Sequence, residues 1–171
     1  MILEFLNAYR FDLQYIASIL LGLAMWRWGG GPERGMAILF TGIMMAPAAL
    51  FRIYAQRIML FGDFATVYVA IDVVVLVGFM AIALNANRTY PLWVAGFQLV
   101  AVGSHIVRGL VDAVSPIAYA VLAIGPSYCQ LAVLLAGLLR HRRRVRRFGA
   151  YRDWRDGHGL PRLAAALSPR R

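Results

Sequence analysis

The sequence predicts an all-α fold: a transmembrane up-and-down bundle of five helices, or four, with a basic cytoplasmic tail. Three observations predict it. The 171 residues are 61% hydrophobic and only 15% charged, with a mean hydropathy of +0.64, outside the range of water-soluble domains. The longest uncharged run, Pro116 to Leu139, exceeds the about 20 apolar residues of helix that cross a hydrocarbon core of ~30 Å. Charge is also segregated, because Arg140 to Arg171 holds eleven Arg against Asp153 and Asp156, a net of +9 out of the chain's +10.

The arginine block fixes direction. RHRRRVRR follows the last span directly, and such a cluster is held in the cytoplasm by the positive-inside bias and by the anionic inner leaflet. The expected location is therefore a bacterial inner membrane, multi-pass, with the C-terminus in the cytoplasm and, for five spans, the N-terminus in the periplasm. Residues 1–139 form the bundle and residues 140–171 the Arg-rich tail. Cys129 is the only cysteine, which excludes an intrachain disulfide and a Cys metal site. The opening MILEFLNAYRFD has no basic n-region, so a cleaved signal peptide is not expected.

The first apolar run, residues 13–28, is a marginal span bounded by Asp12 and Arg27, and it could lie on the membrane surface instead. Trp26 and Trp28 favour an interface, and GGGPERG reads as a turn. The second run, Met36 to Phe51, contains Pro47, which predicts a bend. The third runs from Phe64 to Leu84 with Asp72 as its one charge, and the turn Asn85 to Arg88 follows. The fourth opens at Pro91, suited to a first helical turn, and carries His105. Ser115-Pro116 enters the fifth. Gly42 with Ala46 and Ala132 with Ala136 have the four-residue spacing of close helix contacts.

Ionisable groups inside spans are costly and so direct the search for a site. Asp72 lies about 12 Å below the outer edge of its span at ~1.5 Å per residue, and His105 about 10 Å below the same edge on the antiparallel neighbour. Arg108 is one turn from His105 on the same face. The expected cluster is Asp72, His105 and Arg108, with Arg52 and Asp112 at its rim, serving as helix-pinning ion pairs, an anion or ligand pocket, or part of a proton path. A second patch, Gln98, Ser127, Tyr128 and Gln130, lies midway along the last two spans, where interhelical hydrogen bonds are the default. There Gly125-Pro126 could free a carbonyl. The tail residues Arg140, Arg142, Arg143, Arg144, Arg146 and Arg147 suit anionic lipid headgroups, and nucleic acid is the less fitting partner because Val145 and aromatic residues interrupt the charge.

No cofactor is expected. His105 is the only His in any span, so intrachain bis-His haem ligation is excluded, leaving only a single-His pigment or a haem shared between two copies. No metal-ligand spacing occurs on the spans, and Ser104 and His105 point to different helix faces, so no catalytic residue is assigned.

The stretches ALNANRTYPLWVAGFQLVAVGSHIVRGL and SPIAYAVLAIGPSYCQLAVLLAGLLRHRRR, roughly the second half of the chain, resemble a group of uncharacterised short multi-pass membrane proteins of alphaproteobacteria. The resemblance implies a membrane location and no activity. The expected function is accordingly a non-catalytic accessory or scaffold component, with possible assembly into a homo-oligomer or larger membrane complex. The rivals are a small-solute or proton transporter acting as a channel-like oligomer, a holin-like pore former, and a lipid-acting membrane enzyme.

Overall fold

The computed structural model describes residues 2–47, 49–50, 63–110, 116–149 and 152–155. Among these the chain is all-helical. Helix α1 (Ile2–Trp28) is followed by α2 (Gly31–Ala37), which runs on as a π-helical stretch (Ile38–Met45), and then by α3 (Asp63–Asn85), α4 (Tyr90–Leu110) and α5 (Pro116–Phe148). The marginal first run thus forms part of a 27-residue helix.

Local chemistry explains the helix boundaries. GGGPERG is not simply a turn: only Gly29 and Gly30 interrupt the helix, and Pro32 and Glu33 sit in the first turn of α2. Glu33 Oε2 accepts the Gly30 N–H at 3.0 Å, satisfying a donor that a helix N-terminus leaves over. In the π-helical stretch the Ala46 N–H bonds to the Thr41 carbonyl five residues back, and this widened turn lies just before Pro47, where the sequence predicts a bend. Tyr90-Pro91 opens α4, as expected for Pro in a first turn. Helix α5 continues unbroken through Pro126 and past Leu139 until Gly149, whose φ of 75° and N–H bond to the Val145 carbonyl end it. The arginine block is therefore the last turns of α5, and residues 139/140 mark no structural break.

Each helix packs on its neighbours in sequence, and α1 closes against α5. The apolar centre holds Met25, Met36, Phe40, Val75, Phe79, Val94 and Leu134. Gln14, Ser18, Glu33, Gln98, Ser127 and Gln130 are buried with them, while Leu20, Leu23, Val77, Leu84, Leu92 and Leu99 are more than half exposed. Two segments, Thr66–Asn85 and Tyr90–Val107, are long and apolar enough to cross a membrane, and the first is only 17% buried, unlike the core helix of a soluble protein.

The small residues at four-residue spacing lie on the surface of the described structure. Gly42, Ala46, Ala132 and Ala136 are exposed, and a Cβ on Gly42 would meet nothing within 4 Å. The tight approaches lie elsewhere: a Cβ on Gly22 would come within 2.7 Å of Thr41 Oγ1, one on Gly78 within 2.7 Å of the Leu39 methyls, and one on Gly137 within 2.7 Å of Tyr90 Cγ. The spacing pattern carries no information about which face meets a neighbour, and only the rotation of each helix decides that.

Gly137→Ala should therefore lower the thermal midpoint of the purified protein, because the Tyr90 ring has to move, at a cost of ~1–3 kcal/mol for overpacking. Gly96→Ala, with open space around its Cβ, should leave the midpoint unchanged or slightly raised, and equal midpoints for the two variants would contradict the packing described.

Candidate functional site

Polar side chains gather in two layers. The first lies midway along α3, α4 and α5. Asp72 Oδ2 pairs with His105 Nε2 at 3.0 Å, and Asp72 Oδ1 accepts from Gln98 Nε2 at 2.9 Å. Gln98 Oε1 in turn accepts from Gln130 Nε2 at 2.8 Å, and Gln130 Nε2 also donates to the Val94 carbonyl at 3.1 Å. Gln98 and Gln130 are fully buried. Four residues of the two predicted patches thus form one chain of bonds, His105–Asp72–Gln98–Gln130, that crosses three helices. Both oxygens of the half-buried Asp72 carboxylate are engaged. Gln130 Oε1 alone remains buried without a donor among the described residues.

The rest of the predicted cluster divides. The Arg108 side chain, Arg52 and Asp112 lie outside the described residues. Tyr128 is 38% exposed, at the surface of the bundle. Ser127 turns to α1 instead, accepting from Gln14 Nε2 at 2.6 Å and donating to the Ile124 carbonyl one turn back at 2.6 Å. Thr41 Oγ1 donates to the Ser18 carbonyl at 3.1 Å and ties the π-helical stretch to α1.

The second layer, at the arginine-rich end, was not foreseen. Arg88, in the turn between α3 and α4, forms ion pairs with Glu33 through Nη1 and with Asp153 through Nη2, the latter at 2.5 Å. The Glu33 side chain is wholly buried and that of Arg88 is 6% exposed. Tyr90 Oη donates to Glu33 Oε1 at 3.3 Å. Asp153 Oδ2 accepts the Gly31 N–H at 2.8 Å, the Asn87 N–H donates to the Asp153 carbonyl at 3.1 Å, and the Arg155 N–H donates to the Asn85 carbonyl at 2.7 Å. Residues 152–155 are therefore docked on the helix ends, with Ala86 and Trp154 forming one antiparallel bridge. A Cβ on Gly30 would fall 2.5 Å from Asp153 Oδ1, and one on Gly31 would fall 2.8 Å from Trp154 Nε1. The glycine run thus allows this segment to approach α2 closely. The signal present in the sequence was Glu33 three residues after a helix-capping Gly, together with a carboxylate, Asp153, beyond a helix-ending Gly149.

The arginines of α5 also separate. Arg140, Arg143, Arg144 and Arg147 line a cavity of about 630 Å³ that faces the Asn87–Tyr90 turn. Arg142 instead stacks on Trp28, its guanidinium carbon 4.5 Å from the ring centroid, and Arg146 is exposed outside the cavity lining. His141 lies buried in the cavity wall, and burial first, then the Arg88 charge, push its pKa below the ordinary histidine value against a smaller upward pull from Asp153. Among the described residues, no three of His, Cys, Asp and Glu come together in a way that could hold a metal ion.

Compared with known protein families, with curated proteins and with solved structures, the chain has no match.

Two outcomes follow from the second layer. Glu33→Ala leaves Arg88 buried with one partner fewer, so unfolding should become easier by ~3–5 kcal/mol, and the double variant Glu33→Met with Arg88→Met should recover most of that loss in thermal or denaturant unfolding. For His141 the folded-state pKa lies below the unfolded value of ~6.5, so its contribution is complete above that pH and is lost as pH falls through it toward the folded value. The thermal midpoint should drop on acidification from about pH 7.5 to 5.5, and His141→Gln should make that drop shallower.

Proposed function

We propose that this chain is a multi-pass inner-membrane protein whose five helices cross the bilayer, with the arginine-rich end in the cytoplasm and the N-terminus in the periplasm. We assign it to the same kind of short, uncharacterised alphaproteobacterial membrane protein that its second half resembles. Its role is that of a non-catalytic accessory or scaffold component that packs against another membrane component.

The observation that carries this reading is how the polar groups are used. Bonds between side chains or from side chain to backbone link α1 to the π-helical stretch, α2 to the α3–α4 turn, α3 to α4, α4 to α5, and α5 back to α1. Each such interhelical bond contributes ~0.6–1.7 kcal/mol in a membrane, and together they set the rotation of every helix. Asp72 has both oxygens engaged across helices, one by His105 and one by Gln98. Polar groups spent in this way hold a bundle together. The apolar exterior and the Trp residues at the basic end (Trp26, Trp28 and Trp93 are all exposed) support lipid contact and an interfacial anchor.

Asp72→Asn separates this role from transport. In proteoliposomes the variant and the unmodified protein should both show the proton leak of protein-free liposomes, while the thermal midpoint of the variant in mild detergent falls by the equivalent of ~1 kcal/mol or more as the His105 pairing weakens. Flux carried by the unmodified protein and abolished by Asp72→Asn would replace the scaffold reading with a transporter.

A further inference from the structure

We propose that two arginine–tryptophan stacks at the end of α1 form a binding belt for anionic phospholipid headgroups. Trp26 and Trp28 are both exposed there. The guanidinium carbon of Arg34, from α2, lies 5.9 Å from the centroid of the Trp26 ring, and that of Arg142, from α5, lies 4.5 Å from the Trp28 ring. Residues two apart on a helix point to different sides, so the two rings meet guanidinium groups from different neighbours. Three helices thus contribute to one band at one level of the bundle. The proposal rests on the membrane location given above and adds to it the lipid class and the residues that receive it.

Stacking sets these two arginines apart from diffuse basic charge. A guanidinium held over an aromatic ring uses its face, while its N–H donors lie in its plane and remain available for paired bonds to phosphate oxygens. The ring also restrains the direction of those donors, so less side-chain freedom is lost when a phosphate arrives. Among the described residues neither Arg34 nor Arg142 pairs with a carboxylate. Glu33, next to Arg34 in sequence, is spent on Arg88, on Tyr90 and on the Gly30 N–H. Arg34 is exposed and Arg142 half-buried.

One turn away from the belt the surface becomes apolar. Leu23 precedes Trp26 by three residues, Ile38 follows Arg34 by four and Leu139 precedes Arg142 by three, and all three are exposed. Because α1 and α5 run towards the belt and α2 runs away from it, these side chains lie on the same side of it. Ile19, Leu20 and Leu135 continue the exposed apolar surface further in that direction. The order is hydrocarbon, aromatic ring, guanidinium, which matches acyl chain, interfacial region and phosphate in a phospholipid. Free phosphate has no counterpart for the apolar part. A zwitterionic headgroup brings its own cation to the arginines, so an anionic one fits better.

The test offers the purified full chain, in neutral detergent, equal amounts of phosphatidylglycerol and phosphatidylcholine, and native mass spectrometry counts the molecules of each that are retained. Arg34→Gln with Arg142→Gln removes the two stacked charges. Arg27→Gln with Arg146→Gln removes two exposed charges of the same region that stack on no ring among the described residues. Arg34→Lys with Arg142→Lys keeps the charge and removes the planar fork. Thermal midpoints check that each variant is folded.

The unmodified protein should retain phosphatidylglycerol over phosphatidylcholine by at least about fivefold, and the stacked Gln pair should lower that ratio at least about threefold while the unstacked pair changes it less than about twofold. The Lys pair should also lower it, since charge alone does not supply the paired donors. Equal loss in the two Gln pairs, a full preference in the Lys pair, no preference in the unmodified protein, or displacement of the lipid by inorganic phosphate overturns the site. Because the measurement needs no bilayer, failure of the site is distinct from failure of the membrane location, which would show as a chain that needs no detergent to stay in solution.

Discussion

Amide, carboxylate and guanidinium groups placed inside a helix bundle must find their partners on other helices, because an unsatisfied polar group in an apolar interior costs several kcal/mol by order of magnitude. This requirement organises the molecule. Gln98 sits at its centre, fully buried, joined to Asp72 on α3 and to Gln130 on α5, so a rotation of any one of the three helices breaks a bond. Gln14 and Ser127 do the same for the closure of α1 on α5. Many apolar side chains face outwards around a small apolar centre, and polar contacts and tight glycine approaches hold the helices in register.

At the arginine-rich end the same constraint acts on a full charge. Arg88 lies in a short turn, yet it is buried because Glu33 from the start of α2 and Asp153 from beyond α5 converge on it. The pairing joins segments far apart in sequence and docks residues 152–155 over the helix ends. The last turns of α5 place Arg140, Arg143, Arg144 and Arg147 along a cavity and Arg142 on the tryptophan at the end of α1. One basic run therefore serves two surfaces, divided by the 3.6-residue period of the helix.

How much of this was legible in the sequence follows from what a linear reading can measure. Depth along a helix is a count of residues, so the meeting of Asp72 with His105, and of Gln98 with Gln130, could be anticipated from their distances to the ends of their runs. Rotation about the helix axis is not a count, which is why the sequence does not reveal that Ser127 meets Gln14 or that Gly42 and Ala132 face outwards. The Glu33–Arg88–Asp153 network is faint in the sequence for another reason. Each of its members stands in a stretch that reads as turn or tail, and only the gathering of helix ends at one level brings the three together. The continuation of α5 through Arg140 to Phe148 was hidden by the abrupt change of composition at Leu139, although arginine is a good helix former.

The exterior is the remaining half of the argument. Leu20, Leu23, Val77, Leu84 and Leu92 are exposed, and α3 and α4 each hold a segment long and apolar enough to cross a membrane, which is what the proposed membrane location uses. Extraction of the expressed chain tests this most directly: membranes are washed with high salt and alkaline carbonate, then treated with detergent, and the protein is followed at each step. Release by detergent alone is the expected result. Recovery of a folded, monodisperse monomer in the aqueous supernatant before any detergent is added would contradict the membrane-embedded bundle.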